Sequence, residues 1–209
     1  MPIRTLLFDL SEVFISGLYG LKKTLAPLLN QEERAILKAL GGEGLHMICC
    51  GQWSEDEYLS ALLQHHGWGL TAPEIKRLIR ENMATEMPGM RALLERLDYP
   101  GRPYRLALLS DHGAEWITHA RTAHTLFDHF DRLFFSYELG QTKGDPATFQ
   151  RVLDLLDSPA GEMLFVDDNK ANVARAQSVG IQGIVFTGAD ALEMELVERG
   201  ILGGGTSPG

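Results

Sequence analysis

Four stretches of the chain place carboxylates, hydroxyls or a lysine directly after short apolar runs. Asp9-Leu10-Ser11 follows Leu6-Leu7-Phe8, and Ser110-Asp111-His112 follows Leu106-Ala107-Leu108-Leu109. Lys143 comes a short loop after Leu133-Phe134-Phe135, and Asp167-Asp168-Asn169 follows Leu164-Phe165-Val166. That inventory suits phosphoryl chemistry. Acids after two strands can hold Mg²⁺, which takes oxygen ligands and keeps several waters. A carboxylate beside the cation can attack phosphorus and form an aspartyl-phosphate. An anion attacking an anionic ester works against electrostatic repulsion, so a cation, a lysine and hydroxyl donors must neutralise the equatorial oxygens. Asp9, Asp168, Lys143 and Ser110 have the right types for those roles. Singly, each has a commonplace explanation: a turn residue, a helix cap, a solvated lysine. Their recurrence after successive apolar runs is the signal.

The elements that must position them are five apolar segments, at 5–8, 105–109, 132–135, 163–166 and 183–186. Each is short and continuous rather than alternating, as in strands covered on both faces of a parallel sheet. Helical patterns at 114–121, 147–156, 171–179 and 189–198 separate or follow the last four. Strand–helix alternation predicts a doubly wound, Rossmann-like α/β fold with a parallel five-stranded sheet. In such sheets ligands bind beyond the carboxyl ends of the strands, where all four groups fall.

The stretch from about 11 to 101 breaks this rhythm and reads as helical. Asn30-Gln31-Glu32-Glu33 reads as a helix start with Asn30 as cap, closed by Gly41-Gly42. Ser54-Glu55-Asp56-Glu57 and Thr71-Ala72-Pro73-Glu74 read as capping boxes, and a further helix spans 90–97. An ordinary crossover needs only about a dozen residues. The expected division is a core of 1–15 and 88–202, an inserted helical cap domain of 16–87, and a flexible tail of 203–209.

The chain resembles the haloacid dehalogenase-like (HAD) hydrolase superfamily in four motifs. They are Phe8-Asp9-Leu10-Ser11-Glu12-Val13-Phe14, Leu108-Leu109-Ser110, Glu138-Leu139-Gly140-Gln141-Thr142-Lys143-Gly144-Asp145-Pro146 and Phe165-Val166-Asp167-Asp168-Asn169 with Asn172-Val173 following. The resemblance implies Asp9 as nucleophile, with Ser110 and Lys143 binding phosphoryl oxygens. Ser11 and Asp111 complete the candidate phosphate-binding set. Asp9, the backbone carbonyl of Ser11 and Asp168 are implied as Mg²⁺ ligands, with Asp167 in support. The insert is implied to close over the site and select a small phosphorylated metabolite.

One position departs from the family pattern. Family phosphatases usually carry a second aspartate two residues after the nucleophile, as acid and then base; here that residue is Ser11. Losing a positioned acid–base group typically costs about 10²–10⁴ in rate. Glu12 and His112 are the nearby substitutes. The expectation is a Mg²⁺-dependent phosphomonoester hydrolase, slow or suited to leaving groups that need little acid. The alternatives are a weakly catalytic Mg²⁺- and phosphate-binding regulatory protein and a metal-independent 2-haloacid dehalogenase. Asp167-Asp168 favours the metal-dependent readings, because a dehalogenase has no cation to bind.

Composition fits this. The 209 residues, 44% hydrophobic and 22% charged, are globular in proportion. A net charge of −9 disfavours nucleic acid or an anionic membrane as partner. No apolar run approaches the roughly 20 residues that span a bilayer. Asp9 comes too early for a signal peptide. The two cysteines, Cys49 and Cys50, are adjacent and give no disulfide framework. The expected setting is cytoplasmic. His119, His124 and His129 are spaced by five and share no helix face, so they read as structural. Trp53, Tyr58, Trp68 and Trp116 read as helix packing.

Overall fold

Short apolar runs with no polar face must bury both sides; the three central strands of one sheet do so, and the two edge strands stay partly exposed. The structure, a computed structural model, describes residues 2–203; from 204 on, the expected tail lies outside the described residues. Strands β1 (Thr5–Phe8), β2 (Arg105–Ser110), β3 (Arg132–Phe135), β4 (Met163–Asp167) and β5 (Gln182–Val185) form a parallel sheet in the order β3-β2-β1-β4-β5. The chain winds outward from β1 through β2 to β3, then crosses to β4 and β5. The order reverses beside β1, where an open sheet leaves a crevice for ligands.

Side chains alternate across the sheet, and helices cover both faces. Leu7, Ala107, Leu109 and Phe165 pack against α9 (Pro146–Leu156) and α10 (Lys170–Ser178). Leu6, Phe8, Leu106, Leu108, Leu164 and Val166 pack against α6 (Met90–Leu97), α7 (Ala114–Ala123) and α11 (Ala189–Glu198). Burial on both sides explains why these strands lack the polar–apolar alternation of an exposed sheet.

Between β1 and α6 lie α1 (Leu18–Leu29), α2 (Glu33–Leu40), α3 (Glu43–Cys49), α4 (Glu55–His66) and α5 (Ala72–Met83). Both expected capping boxes form. The Ser54 hydroxyl accepts from the Glu57 amide while the Glu57 carboxylate accepts from the Ser54 amide, and Thr71 and Glu74 do the same. The two connections to the sheet run side by side. Ser16 N–H donates to Thr85 O at 2.8 Å, Met87 N–H donates to Phe14 O at 2.8 Å, and Ile15 bridges Glu86.

Three details differ from the sequence reading. Asn30 does not start a helix; it ends α1 in the left-handed conformation (φ 49°), which asparagine tolerates, and α2 begins at Glu33 without a side-chain cap. Pro27 sits inside the last turn of α1. The loop before Lys143 contains a single helical turn, α8 (Ser136–Leu139), closed by Gly140 at φ 67°.

Glu55 joins the inserted helices to the core. It is 2% exposed, and its carboxylate accepts from Arg80 on α5 at 2.6 Å and from Trp116 Nε1 on α7 at 2.7 Å. A buried acid keeps its charge only with such partners, and removing it leaves Arg80 and the indole N–H unpaired. Glu55→Ala is expected to lower stability by roughly 2–3 kcal/mol, read as a shifted urea midpoint with little change in far-UV circular dichroism.

Candidate active site

The sheet register creates the site. Phe8 pairs with Val166, so the next residues, Asp9 and Asp167, emerge side by side at the crevice. Asp9 N–H donates to Val166 O at 2.9 Å. Both side chains are buried, at 5% and 0% exposure. The Lys143 ammonium lies between them, donating to Asp9 Oδ1 at 2.6 Å and to Asp167 Oδ2 at 2.8 Å. Lys143 is 2% exposed and sits on the loop after α8. That loop is tied down by Thr148, whose hydroxyl donates to Thr142 O at 2.7 Å.

The acids differ in how their oxygens are used. Asp167 Oδ1 accepts from the Asn169 amide at 2.7 Å, and both oxygens lie 3.1–3.3 Å from Asn172 Nδ2. Asp167 is therefore fully engaged by the protein. Asp9 Oδ1 accepts from the Leu10 amide at 2.7 Å as well as from Lys143. Asp168 is only half-buried and lines the cavity that opens above Asp9. One oxygen from each of Asp9, Asp167 and Asp168 lies within 4.8 Å of the others.

Electrostatics at the cluster are lopsided. If all three carboxylates were ionised, they would outnumber the one ammonium by two charges. Burial drives the Asp9 carboxyl well above the usual range, opposed by Lys143 and reinforced by Asp167. Burial, with the Asp167 charge, moves Asp168 up to about 6. Burial opposes the Lys143 charge, but Asp9, Asp167 and Asp111 outweigh it and hold the ammonium protonated. A site that strains toward neutrality in this way is suited to a divalent cation, and all its donors are the oxygens that hard cations take.

The residues after β2 form a second, uncharged group. The imidazole of His112 joins Ser110 Oγ to Nδ1 at 2.6 Å and Ser11 Oγ to Nε2 at 3.0 Å. Its backbone N–H donates to Ser136 Oγ at 3.2 Å. Burial, aided by the Lys143 charge, pushes His112 down to about 3, so the ring is neutral near pH 7. With one ring proton, the imidazole donates to one serine hydroxyl and accepts from the other. Ser110 is fully buried, with its hydroxyl turned to His112. Asp111 turns its carboxylate to the Lys143 amide, at 3.0 and 3.2 Å, and so fixes the lysine loop. Glu12, in the left-handed region at φ 58°, accepts from Gly17 and Tyr19 amides at the start of α1.

Asp9, Ser11, Asp111, Lys143 and Asp168 all border one cavity of about 230 Å³, together with Glu12, His112 and Trp116. Asp167 and Ser110 stand behind it. The link between His112 and Ser11 spans 101 positions and has no local signature. Asn172 carried a local signal, following the Asp pair by one helical turn. Tyr58 and Trp116, read as packing, are indeed buried yet also border the cavity.

This arrangement on a doubly wound sheet is that of a known class: the chain belongs to the haloacid dehalogenase-like hydrolases, whose sequence model matches residues 22–186. Asp9 and Ser11 precede the matched segment. The chain is 31% identical over 128 residues to the sesquiterpene phosphatase astK of Aspergillus oryzae, covering 61% of this chain and 65% of that protein. It is 37% identical over 67 residues to the drimenol cyclase drtB of Aspergillus calidoustus, covering 32% of this chain and 13% of that protein. The matches thus span under two thirds of either relative. The HAD family enzyme bt-2542 of Bacteroides thetaiotaomicron, solved with magnesium and inorganic phosphate, shares the fold at TM-score 0.71 and 20% identity, over 89% of this chain and 95% of that one. The HAD-hydrolase YfnB of Bacillus subtilis, solved with magnesium, superposes at TM-score 0.68 and 18% identity, over 94% of this chain and 100% of that one. Among the described residues no helix is long and apolar enough to cross a membrane.

Removing one partner of a buried ion pair leaves the other uncompensated. Lys143→Met is expected to destabilise the protein by about 3–5 kcal/mol. Asp9→Asn reduces the excess of carboxylates, and its urea midpoint is expected to rise. Denaturation of both variants in the presence of a chelator reads the two opposite shifts.

Proposed function

We propose that the protein is a Mg²⁺-dependent phosphomonoesterase that hydrolyses a small phosphorylated metabolite through an aspartyl-phosphate on Asp9. The observation that carries this reading is the buried cluster of three carboxylates around one ammonium, open to a cavity through Asp9 and Asp168. With all three ionised, the two excess negative charges match a divalent cation, held by Asp9, Asp168 and the backbone carbonyl of Ser11. When bound, Mg²⁺ supplies charge neutralisation that makes a phosphate dianion tolerable beside Asp9. The phosphatase relative supports the reaction class. Two buried free thiols, Cys49 and Cys50, support a reducing, cytoplasmic setting.

Asp9 attacks phosphorus with a carboxylate oxygen, and the ester oxygen departs with its electron pair. Water then attacks the phosphorus of the aspartyl-phosphate, releasing phosphate and restoring Asp9. Lys143 orients Asp9 and balances charge on the equatorial oxygens. Asp167 holds Lys143, Asp111 holds the lysine loop, and residues 16–87 serve as the cap that limits water. Ser11 occupies the acid–base position, and neutral His112 backs it. Burial that keeps His112 neutral also makes it a weak base, and both its ring nitrogens are engaged by serine hydroxyls. The pair therefore holds Ser11 in place but gives little acid or base help to either step. Turnover is expected to be slow for poor leaving groups. A metal-independent dehalogenase fits less well, since the surplus carboxylates beside the nucleophile would have no cation.

An activated aryl phosphate tests this. Phosphate release is expected with Mg²⁺, to vanish with a chelator, and to fall at least ~10³-fold in Asp9→Asn. If Mg²⁺ raises the melting temperature while no phosphate is released, the protein is a binding protein instead. A cation competes with the proton on Asp168. The Mg²⁺-induced rise in melting temperature is therefore expected to grow as pH increases through about 6 and to shrink below it. Ser11→Asp is expected to raise the rate on alkyl phosphates by more than on aryl phosphates; equal effects would remove Ser11 from the leaving-group step.

A further inference from the structure

The cavity above Asp9 is walled unevenly. Its floor is polar: Asp9, Lys143, Asp168 and the Ser11–His112 pair. Its roof comes from the inserted helices, with Leu18 and Leu21 on α1, Leu40 on α2, Leu45 on α3, and Ile79 and Met83 on α5.

Most polar side chains among these apolar ones are hydrogen-bonded within the protein; the Tyr19 hydroxyl and the second oxygen of Glu12 stay free at the α1 side of the cavity. Tyr58 Oη donates to Leu40 O at 2.6 Å. Trp116 Nε1 donates to Glu55 at 2.7 Å. Asn82 donates to the carbonyls of Ser16 and Gly17 at 3.1 and 2.8 Å and accepts from Ser16 Oγ at 3.0 Å. Glu12 Oε1 accepts from the Gly17 and Tyr19 amides at 2.9 and 3.0 Å. Tyr19 is half-exposed. A sugar or polyol seated against Leu40, Leu45, Ile79 and Met83 would bury hydroxyls where the lining side chains have no polar atom to bond them. Each such unpaired hydroxyl is costly. A hydrocarbon would find the roof already complementary.

We propose that the organic group of the substrate is an apolar hydrocarbon, seated under α1–α5 with its phosphate on the Asp9–Lys143 floor. An apolar cavity of about 150 Å³ accommodates benzene; the 230 Å³ here also holds the phosphate head, so about six carbons fit under the roof. Longer chains project toward solvent. This substrate class rests on the phosphomonoesterase reading, but the roof's selectivity is measurable without turnover.

The probes are n-alkylphosphonates of two to sixteen carbons, which keep the phosphate-like head and resist hydrolysis. Calorimetric titration into the Mg²⁺-loaded wild-type protein is expected to show Kd tightening about two- to fourfold per methylene, levelling off near six carbons. Glucose 6-phosphate is expected to bind no better than inorganic phosphate. Leu18→Gln and Leu45→Gln, both at partly exposed positions, are expected to flatten the chain-length dependence. A Kd independent of chain length overturns the proposal. So does tighter binding of the sugar phosphate than of the six-carbon phosphonate, or an unaltered slope in both variants. Absence of aryl phosphate turnover, with the chain-length trend intact, would refute the hydrolase reading and leave the apolar site standing.

Discussion

A buried ammonium held between two buried carboxylates is the interaction on which the site depends. Lys143 comes from the loop after β3, Asp9 from β1 and Asp167 from β4. An unpaired charge in that position would be prohibitively costly, so the three elements must meet before any of the groups is tolerable. The sheet supplies the meeting place: parallel pairing of β1 with β4 puts the two acids abreast. The surrounding contacts maintain it. Asp111 fixes the lysine's backbone, the Asn169 amide takes the Asp167 oxygen that the lysine leaves, and Asn172 reaches both. Asp9 and Asp168 are left facing the cavity.

The same cluster holds an excess of acids as a folding unit. A fold selected only for stability would pair its carboxylates one for one, or replace them by apolar groups. Here a rigid scaffold holds three carboxylates against one ammonium, at the crevice where an open sheet receives ligands. The strain appears as carboxyls pushed upward by burial and by each other. Fully buried Phe8, Phe149 and Phe165 pack around the strands that carry these acids.

Much of this was legible in the sequence because it is local. Continuous apolar runs of four or five residues define strands buried on both faces, and the polar residue ending each run falls at the sheet's carboxyl edge. Capping boxes at Ser54 and Thr71 involve residues three apart, so they too can be read directly. What could not be read is conditional on tertiary contact. Asn30 has the side chain of an N-cap but also tolerates the left-handed conformation, and the chain used the second property. The single turn of α8 is too short for any periodicity. The imidazole that joins Ser11 to Ser110 depends on β1 and β2 being neighbours. The apolar roof depends on five helices whose sequences show only which face is buried, not what that face covers.

A neutral residue at Ser11 suits its surroundings. A carboxylate there would add a further acid to a pocket that already holds more acids than cations. Neutral serine beside neutral His112 adds no charge to a floor where Asp9, Asp111 and Asp168 already surround Lys143. Above it, Leu40, Leu45, Ile79 and Met83 offer no hydrogen-bonding groups. The cavity thus passes from an ionic floor to an apolar roof. A ligand with a charged head and a uniform apolar body can satisfy that gradient in a single orientation, head down. A ligand with polar groups along its length cannot satisfy it in any.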